Sequence, residues 1–489
     1  MRLAFASCGA AMLLCTVGTV HGQAPSRPAL ERGGDEPIGR LPEVRVTAPA
    51  PVDAVTGTAT PNRVDTLGSD DVTGARSPVL PDILGRLPGV TLQNEQGNTF
   101  QPNLTLRGFT VSSVTGIPQG LSVFLDGIRL NEPTAEEVNF DLIPLEDVER
   151  IEVIRGPSVL FGRNTLGGAI NMITRRGQEI REITPSLALG SFGRQEYRLR
   201  LGGMARPVDY TLSLSESLED GYRDATQARV SRGRGKIGVD LGDTDVSLSY
   251  QFSDNHIKQA GSLPSSEIDR RRAATFTPGE FFAPTLHQAI VNVEHTAGER
   301  VTLSGNAFVR SLDAEQFNAN LAAPNSRMLN QTLSSGATAQ MRYTGSIDGR
   351  RNVVIAGAEY AWNGVDSRTF TEPPGARVLA ADVHDRQDTI GAYVQDSLTV
   401  ARDVGVKGSS VVLTAAARWD RVAHDIDDRL GGGSAGTHVF ERASPRLGVN
   451  VNVSERLSGY ASYAEGFRAP AFFELTCAGP GLQSSKRIA

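Results

Sequence analysis

Beyond Arg176 the chain alternates apolar and polar residues in run after run, a period of two that admits only strands whose faces meet different surroundings. Tyr210-Thr211-Leu212-Ser213-Leu214, Val246-Ser247-Leu248-Ser249-Tyr250-Gln251-Phe252, Val301-Thr302-Leu303-Ser304 and Val411 to Trp419 are clear cases. Each run approaches the roughly nine to eleven residues that a tilted strand needs to cross a bilayer, and about thirteen such runs can be counted. Their connections alternate between short and long, as expected when the two rims of a membrane barrel face different compartments. A mean hydropathy of -0.21 fits such strands, whose two faces average to neutrality. A soluble sandwich or propeller is the rival, and no blade-length repeat supports it.

The N-terminus points to export. Arg2 precedes an apolar stretch, Leu3 to Val20, closed by small residues that suit cleavage after Gly22 or Ala24. A lipoprotein reading through Cys8 or Cys15 fails, because Cys8 comes too early and bulky Leu14 precedes Cys15. Once that signal is removed only Cys477 remains, so no disulfide forms within the mature chain. Residues 23–76 are rich in Pro, Gly, Thr and charge and are expected to be a flexible tail. Inside it, Glu43-Val44-Arg45-Val46-Thr47-Ala48 alternates like a strand available for addition to a partner's sheet.

Residues 77–176 carry a different, mixed pattern. Leu80, Ile83, Leu84 and Leu87 fall at helical spacing and Pro88-Gly89 stops them, while Asn103 to Phe109 and Leu121 to Leu125 are expected strands, the second turned by Asp126-Gly127. Pro144 to Arg150 is an acidic helical turn feeding the strand Ile151 to Ile154, and Gly167 to Thr174 closes a small α+β domain. Glu146, Asp147, Glu149, Arg150, Glu152 and Arg155 give it a charged surface suited to the inside of a wide barrel.

Several chemistries are disfavoured. Gly162 to Gly168 has phosphate-loop spacing without the lysine, no Gly-x-Ser-x-Gly elbow occurs, and the seven histidines form no HExxH or His-x-His pair. His424, Asp425, Asp427 and Asp428 are expected to form a solvated acidic loop. A net charge of -6 argues against nucleic acid. No enzyme activity, cofactor or metal is expected.

Five stretches together carry a family resemblance. They are Asp82 to Val90, Leu106-Arg107-Gly108-Phe109, Val123 to Gly127, Val148 to Pro157, and Phe161-Gly162 through Gly167 to Asn171. In this order they resemble the plug of TonB-dependent outer-membrane receptors. Glu43 to Ala48 then resembles the TonB box, and Glu465-Gly466-Phe467-Arg468-Ala469-Pro470 a barrel motif of the same family. The resemblance implies an α+β plug domain followed by an antiparallel transmembrane β-barrel, incomplete here, with about thirteen of an expected twenty-two strands. The implied organisation is signal peptide 1–22, periplasmic tail 23–76, plug 77–176, partial barrel 177–475 and an aberrant end, 476–489.

By the same resemblance, the protein is a monomer of the cell outer membrane that takes up a scarce nutrient. A ferric siderophore is the first choice of ligand, with vitamin B12, haem and carbohydrate as alternatives. Glu43, Val44, Arg45, Val46, Thr47 and Ala48 bind the C-terminal domain of TonB. Arg107 and Arg155 lock the plug to barrel glutamates, which would lie downstream of the Gly-Phe-Arg-Ala-Pro motif and so leave both arginines unpartnered here. Gln96, Asn98, Phe100, Gln101, Ser112, Ser113 and Gln119 are candidate ligand contacts at the plug apices. From Thr476 onward the period of two is lost, so the chain is expected to be a truncated receptor that forms no working pore.

Overall fold

The computed structural model describes residues 61–75, 79–113, 119–179, 183–320, 324–454 and 457–476. All lie in the compact unit 46–489. The signal segment, the Glu43–Ala48 hexapeptide and residues 477–489 lie outside the described residues.

The first domain is built on a five-stranded mixed sheet and a three-stranded one. The strands are β1 (Val64–Leu67), β2 (Val90–Gln93), β3 (Asn103–Leu106), β4 (Phe109–Val111), β5 (Leu121–Leu125), β6 (Ile128–Arg129), β7 (Val148–Arg155) and β8 (Gly168–Thr174). The larger sheet runs β1-β7-β8-β5-β6, with only the β5/β8 pair parallel, and β2-β3-β4 form the smaller. Helices α1 (Ser69–Ala75) and α2 (Leu80–Leu84) accompany them. Leu80, Ile83 and Leu84 enter one apolar core with Leu121, Val123, Leu125, Ile151, Val153, Ile170 and Met172, so the helical spacing correctly marks a buried face.

Three expectations change here. The helix ends at Leu84, where Gly85 caps it, and Leu87 follows in a turn, still half-buried against the core. The stretch Asn103 to Phe109 is a hairpin rather than one strand: Leu106 faces Phe109 across Arg107 and Gly108, whose φ values are 54° and 90°. Two successive positive φ angles define the tight turn whose twist matches paired strands. Finally, part of the expected tail is ordered, because β1 pairs antiparallel with β7 as the edge of the larger sheet. Four residues are too short a run to register as a strand by pattern.

The second part is a thirteen-stranded antiparallel sheet in strictly sequential order. It comprises β9 (Ile183–Leu189), β10 (Gln195–Ala205), β11 (Val208–Glu219), β12 (Ala228–Asp240), β13 (Thr244–Lys258), β14 (Phe281–Ala297), β15 (Val301–Asn318), β16 (Asn325–Ile347), β17 (Arg350–Glu372), β18 (Val378–Arg402), β19 (Ser410–Asp428), β20 (Gly436–Ser454) and β21 (Leu457–Ala464). Among the described residues β9 and β21 each have one unpaired edge. One rim carries two-residue turns such as Arg206-Pro207 and Asp348-Gly349, and the other carries longer loops, of which 259–280 is the longest. Leu212, Leu214, Ile237, Leu248, Tyr250, Val291, Val293 and Leu303 point outward as an exposed apolar face, while Ser213, Ser215, Arg232, Arg234, Lys236, Ser249 and Gln251 on alternate positions are buried. Strands β16 to β18 reach 23 to 25 residues, well beyond the bilayer requirement. The segment His424 to Asp428 is not a loop: it is the end of β19.

Candidate gating interface between plug and wall

Among the described residues three apolar junctions join the first domain to the sheet: Ala228, Val230 and Ile257 against the plug core, Val353 and Ile355 against Phe124, Leu160 and Phe161, and Leu286 and Leu312 against Leu142. Between them the contact is polar. Strand β12 contributes most. Because side chains alternate across a strand, Arg232, Arg234 and Lys236 share the buried face while Gly233, Gly235 and Ile237 share the other. A membrane-spanning strand cannot turn three cations toward lipid at a cost of about 2–4 kcal/mol each.

Asp126 receives this ladder. It sits fully buried in the β5–β6 turn, and its Oδ2 accepts from Arg234 Nη2 at 2.6 Å, Thr174 Oγ1 at 2.6 Å and Lys236 Nζ at 3.4 Å. The Thr174 N–H donates to Oδ1 at 2.9 Å. Burial alone would raise the carboxyl's pKa, but the Lys236 and Arg234 charges and the Thr174 hydrogen bonds together outweigh it and hold Asp126 down at about 2.

A second contact lies one residue pair further along. Arg232 donates Nη1 to the Ile143 carbonyl at 2.8 Å and pairs through Nη2 with Glu146 at 3.3 Å. Glu146 also accepts from Ser215 Oγ at 2.6 Å, and Ser213 Oγ donates to Asp147. Burial opposes the charge on Glu146, yet Arg232 and Ser215 leave its pKa lowered, whereas burial and the adjacent Glu146 charge push Asp147 up. Gln251 and Asn255 of β13 donate to the Leu142 carbonyl and the Asp141 carboxylate at 2.6 and 2.7 Å. On β15, Arg310 grips Glu132 with both Nη atoms at 2.5 Å, the two-pronged geometry that suits a guanidinium to a carboxylate.

Arg418 of β19 completes the set. It is paired with Asp420 and Glu359 on the wall and donates Nη1 to the plug carbonyl of Val159 at 3.3 Å. It also lies over Gly162, where any side chain would overlap the guanidinium. At the short-turn rim Arg176 joins the two domains, bridging Asp209 and Asp245 at 2.6 Å each.

In the Asp126, Glu132 and Glu146 contacts the cation stands on the wall and the carboxylate on the plug, while at Arg176 the plug supplies the cation. Arg155 donates Nε to Asp65 of β1 at 2.6 Å and Nη1 to the Pro88 carbonyl at 2.8 Å, so its partner is inside the plug. Arg107 is an exposed turn residue. A sequence signal for these wall cations is the alternation Arg-Gly-Arg-Gly-Lys at 232–236, within β12.

The ligand candidates are mostly committed to holding loops. Asn98, Phe100, Gln101, Ser112 and Gln119 are buried. Asn98 Oδ1 accepts from the N–H groups of Phe100 and Gln101 at 2.9 and 3.0 Å, and Gln259 of the wall donates to Gln101 Oε1 at 2.7 Å. Gln119 Oε1 accepts from Ser112 N at 3.0 Å, and Ser113 Oγ donates to the Val138 carbonyl at 3.0 Å. The Gln96 carbonyl accepts from Ala260 and Gly261, tying this plug loop to the long-loop rim.

Comparison with known proteins accords with this geometry. A family model described as TonB-dependent receptor plug domain matches residues 56–169, and one described as TonB dependent receptor-like β-barrel matches residues 185–486. The vitamin B12 transporter BtuB of Vibrio cholerae is 30% identical over 161 residues, which span 32% of this chain and 25% of that protein. The unliganded ferric citrate transporter FecA superposes with a TM-score of 0.73 at 15% identity, covering 86% of this chain and 65% of that one. The ferric yersiniabactin uptake receptor FyuA from Yersinia pestis gives 0.67 at 15% identity, covering 83% and 65%. The chain therefore spans a quarter of its curated relative in that alignment, and just under two thirds of these two structures. The two family models between them take in most of the plug and nearly all of the wall, and the chain belongs to the family of TonB-dependent outer-membrane receptors.

Proposed function

We propose that this chain serves energy-coupled uptake of a ferric siderophore across the outer membrane, with the Glu43 to Ala48 segment handing mechanical work from TonB to the plug. The observation that carries the reading is the set of buried ion pairs and hydrogen bonds that lies between the apolar junctions of plug and wall. Buried ion pairs roughly break even against water once both partners are rehydrated, whereas an apolar interface of the same extent would be permanent. An interface of Asp126, Glu132, Glu146 and Asp147 against Arg234, Lys236, Arg310, Arg232 and serines is one that separates and re-forms. The siderophore receptors among the structural neighbours support the ligand class. A second reading, uptake of vitamin B12, is favoured by the 30% identity to BtuB.

The test is accumulation of radioiron from ferric siderophores, and separately of labelled cobalamin, in cells that express the chain and lack their own receptors. Iron accumulation that disappears in a TonB-deficient strain is the expected result. Cobalamin accumulation alone would transfer the function to the second reading, and accumulation of neither would overturn both in favour of the expectation that the chain forms no working pore.

A further inference from the structure

The luminal face of β17 to β19 carries a recess, filled by Phe472, with an unusual floor. Register places Val365 opposite Asp385 and Asp385 opposite Ile426, so these three share one face, and Val383 lies two residues along it. Three aliphatic side chains therefore ring a carboxylate. Over them packs Phe472, 1% exposed, carried on the helix α3 (Phe472–Thr476). The chain reaches that position from β21 by crossing the plug, where Asn164 N donates to the Phe467 carbonyl at 2.7 Å and Phe473 N to the Thr134 carbonyl at 2.9 Å.

Beneath the ring, Asp385 and His424 are both fully buried. Asn363 Nδ2 donates to Gln387 Oε1 at 2.7 Å, which orients that amide so that its Nε2 donates to His424 Nε2 at 3.3 Å. His424 then carries its proton on Nδ1 and donates it to Asp385 Oδ2 at 2.7 Å. The other oxygen, Asp385 Oδ1, has no hydrogen-bond partner among the described residues. A buried carboxylate oxygen without a donor has lost its water for nothing in return, and neither the neighbouring aliphatic side chains nor the Phe472 ring packed on them can supply one. The pocket thus accepts a flat ring in shape but asks for an O–H or N–H on it.

We propose that this pocket is a subsite for an aryl group bearing a hydroxyl or N–H donor on the transported ligand, and that Phe472 is its resident placeholder, displaced when ligand enters. The inference rests on the uptake reading, but its test is a binding measurement that stands whether or not cells accumulate iron or cobalamin.

The test uses the full chain in detergent, with phenol and toluene as probes that share a ring and differ in the donor. Binding is followed by ligand-detected NMR, with the unsubstituted chain as the reference for partition into micelles. In Phe472→Ala, phenol is expected to bind at least about tenfold more tightly than toluene, the preference that one hydrogen bond to a charged acceptor supplies. The unsubstituted chain should bind both probes far more weakly. Adding Asp385→Val, which matches the neighbouring valines, should abolish the preference; if that variant loses its far-ultraviolet dichroism, Asp385→Asn should reduce the preference instead. Equal affinity for the two probes in Phe472→Ala would overturn the proposal, as would a phenol preference that survives at Asp385, or phenol binding as tight with Phe472 in place.

Discussion

Asp126 is a turn residue by sequence and a receptor for two wall cations by structure, and the difference lies in what a turn signal encodes. Asp-Gly predicts local backbone shape, which the structure bears out at φ 48° and 84°, but the charge on the side chain waits for a partner more than a hundred residues away. Removing one side of this pair leaves the other buried and uncompensated. Arg234→Ala should therefore cost roughly 3 kcal/mol, and Asp126→Asn a similar amount, while the double variant should cost little more than either. Urea midpoints for loss of hydrogen-exchange protection in β5 and β8 measure this, and simple addition of the two losses would count against a direct pair. Glu137 supplies a pH signature of opposite sign. Burial, helped by the Glu132 charge, lifts it from 4.5 to about 7 despite hydrogen bonds from Thr134 and Ala135. The folded state then holds a proton that the unfolded state has released, so this residue's contribution is most favourable below about pH 4.5 and declines as pH rises toward 7. Asp126, held below its usual value, does the reverse and loses its contribution as pH falls from 3.8 toward 2. Glu137→Gln should raise stability at pH 8 relative to pH 4.5 by on the order of 1–3 kcal/mol. A thermal-unfolding series showing the same pH dependence with and without Glu137 would sink this assignment.

At the scale of elements, the hairpin of β3 and β4 shows where pattern reading fails. Leu104 and Leu106 are core residues, and their spacing within Asn103 to Phe109 suggests a single strand because a two-residue turn interrupts the alternation so briefly. The clue was Arg107-Gly108: glycine tolerates the left-handed turn and arginine does not prefer it. Arg107 is thus a turn residue held in a mildly costly conformation. Arg107→Asn should be neutral or stabilise by a few tenths of a kcal/mol, whereas Gly108→Val should destabilise by about 1–2 kcal/mol. Thermal midpoints of the two variants in detergent decide it; equal losses would mean that the Arg107 side chain, rather than its backbone, matters. Strand β12 teaches the complementary lesson. Its Arg-Gly-Arg-Gly-Lys alternation fits a wall strand whose cations face the lumen, but which plug carboxylates they meet depends on how β5, β6 and β7 are stacked inside, and that has no local signature.

For the whole molecule, strand number was legible and strand length was not. About thirteen alternating runs correspond to thirteen strands among the described residues, because lipid on one side and a polar lumen on the other impose alternation on every one. Beyond the bilayer that constraint vanishes, so the continued pairing of β16 to β18 past the membrane left no regular pattern to count. The same division explains why the plug could be located but its mode of attachment could not. If the polar interface is what opens during uptake, fixing it covalently should stop transport without stopping capture. Ser213 and Asp147 are in hydrogen-bond contact across it, as are Ser215 and Glu146. With Cys477 replaced by serine, Ser213→Cys and Asp147→Cys would be bridged by a short bifunctional thiosulfonate, whose disulfide links release under reductant. TonB-dependent accumulation of label is expected to fall to background when bridged and to recover on reduction, with surface binding of the ligand unchanged throughout. Undiminished uptake in the bridged state would show that solute passes without this face of the plug leaving the wall, and the polar contacts of β11 would then be supports rather than a gate.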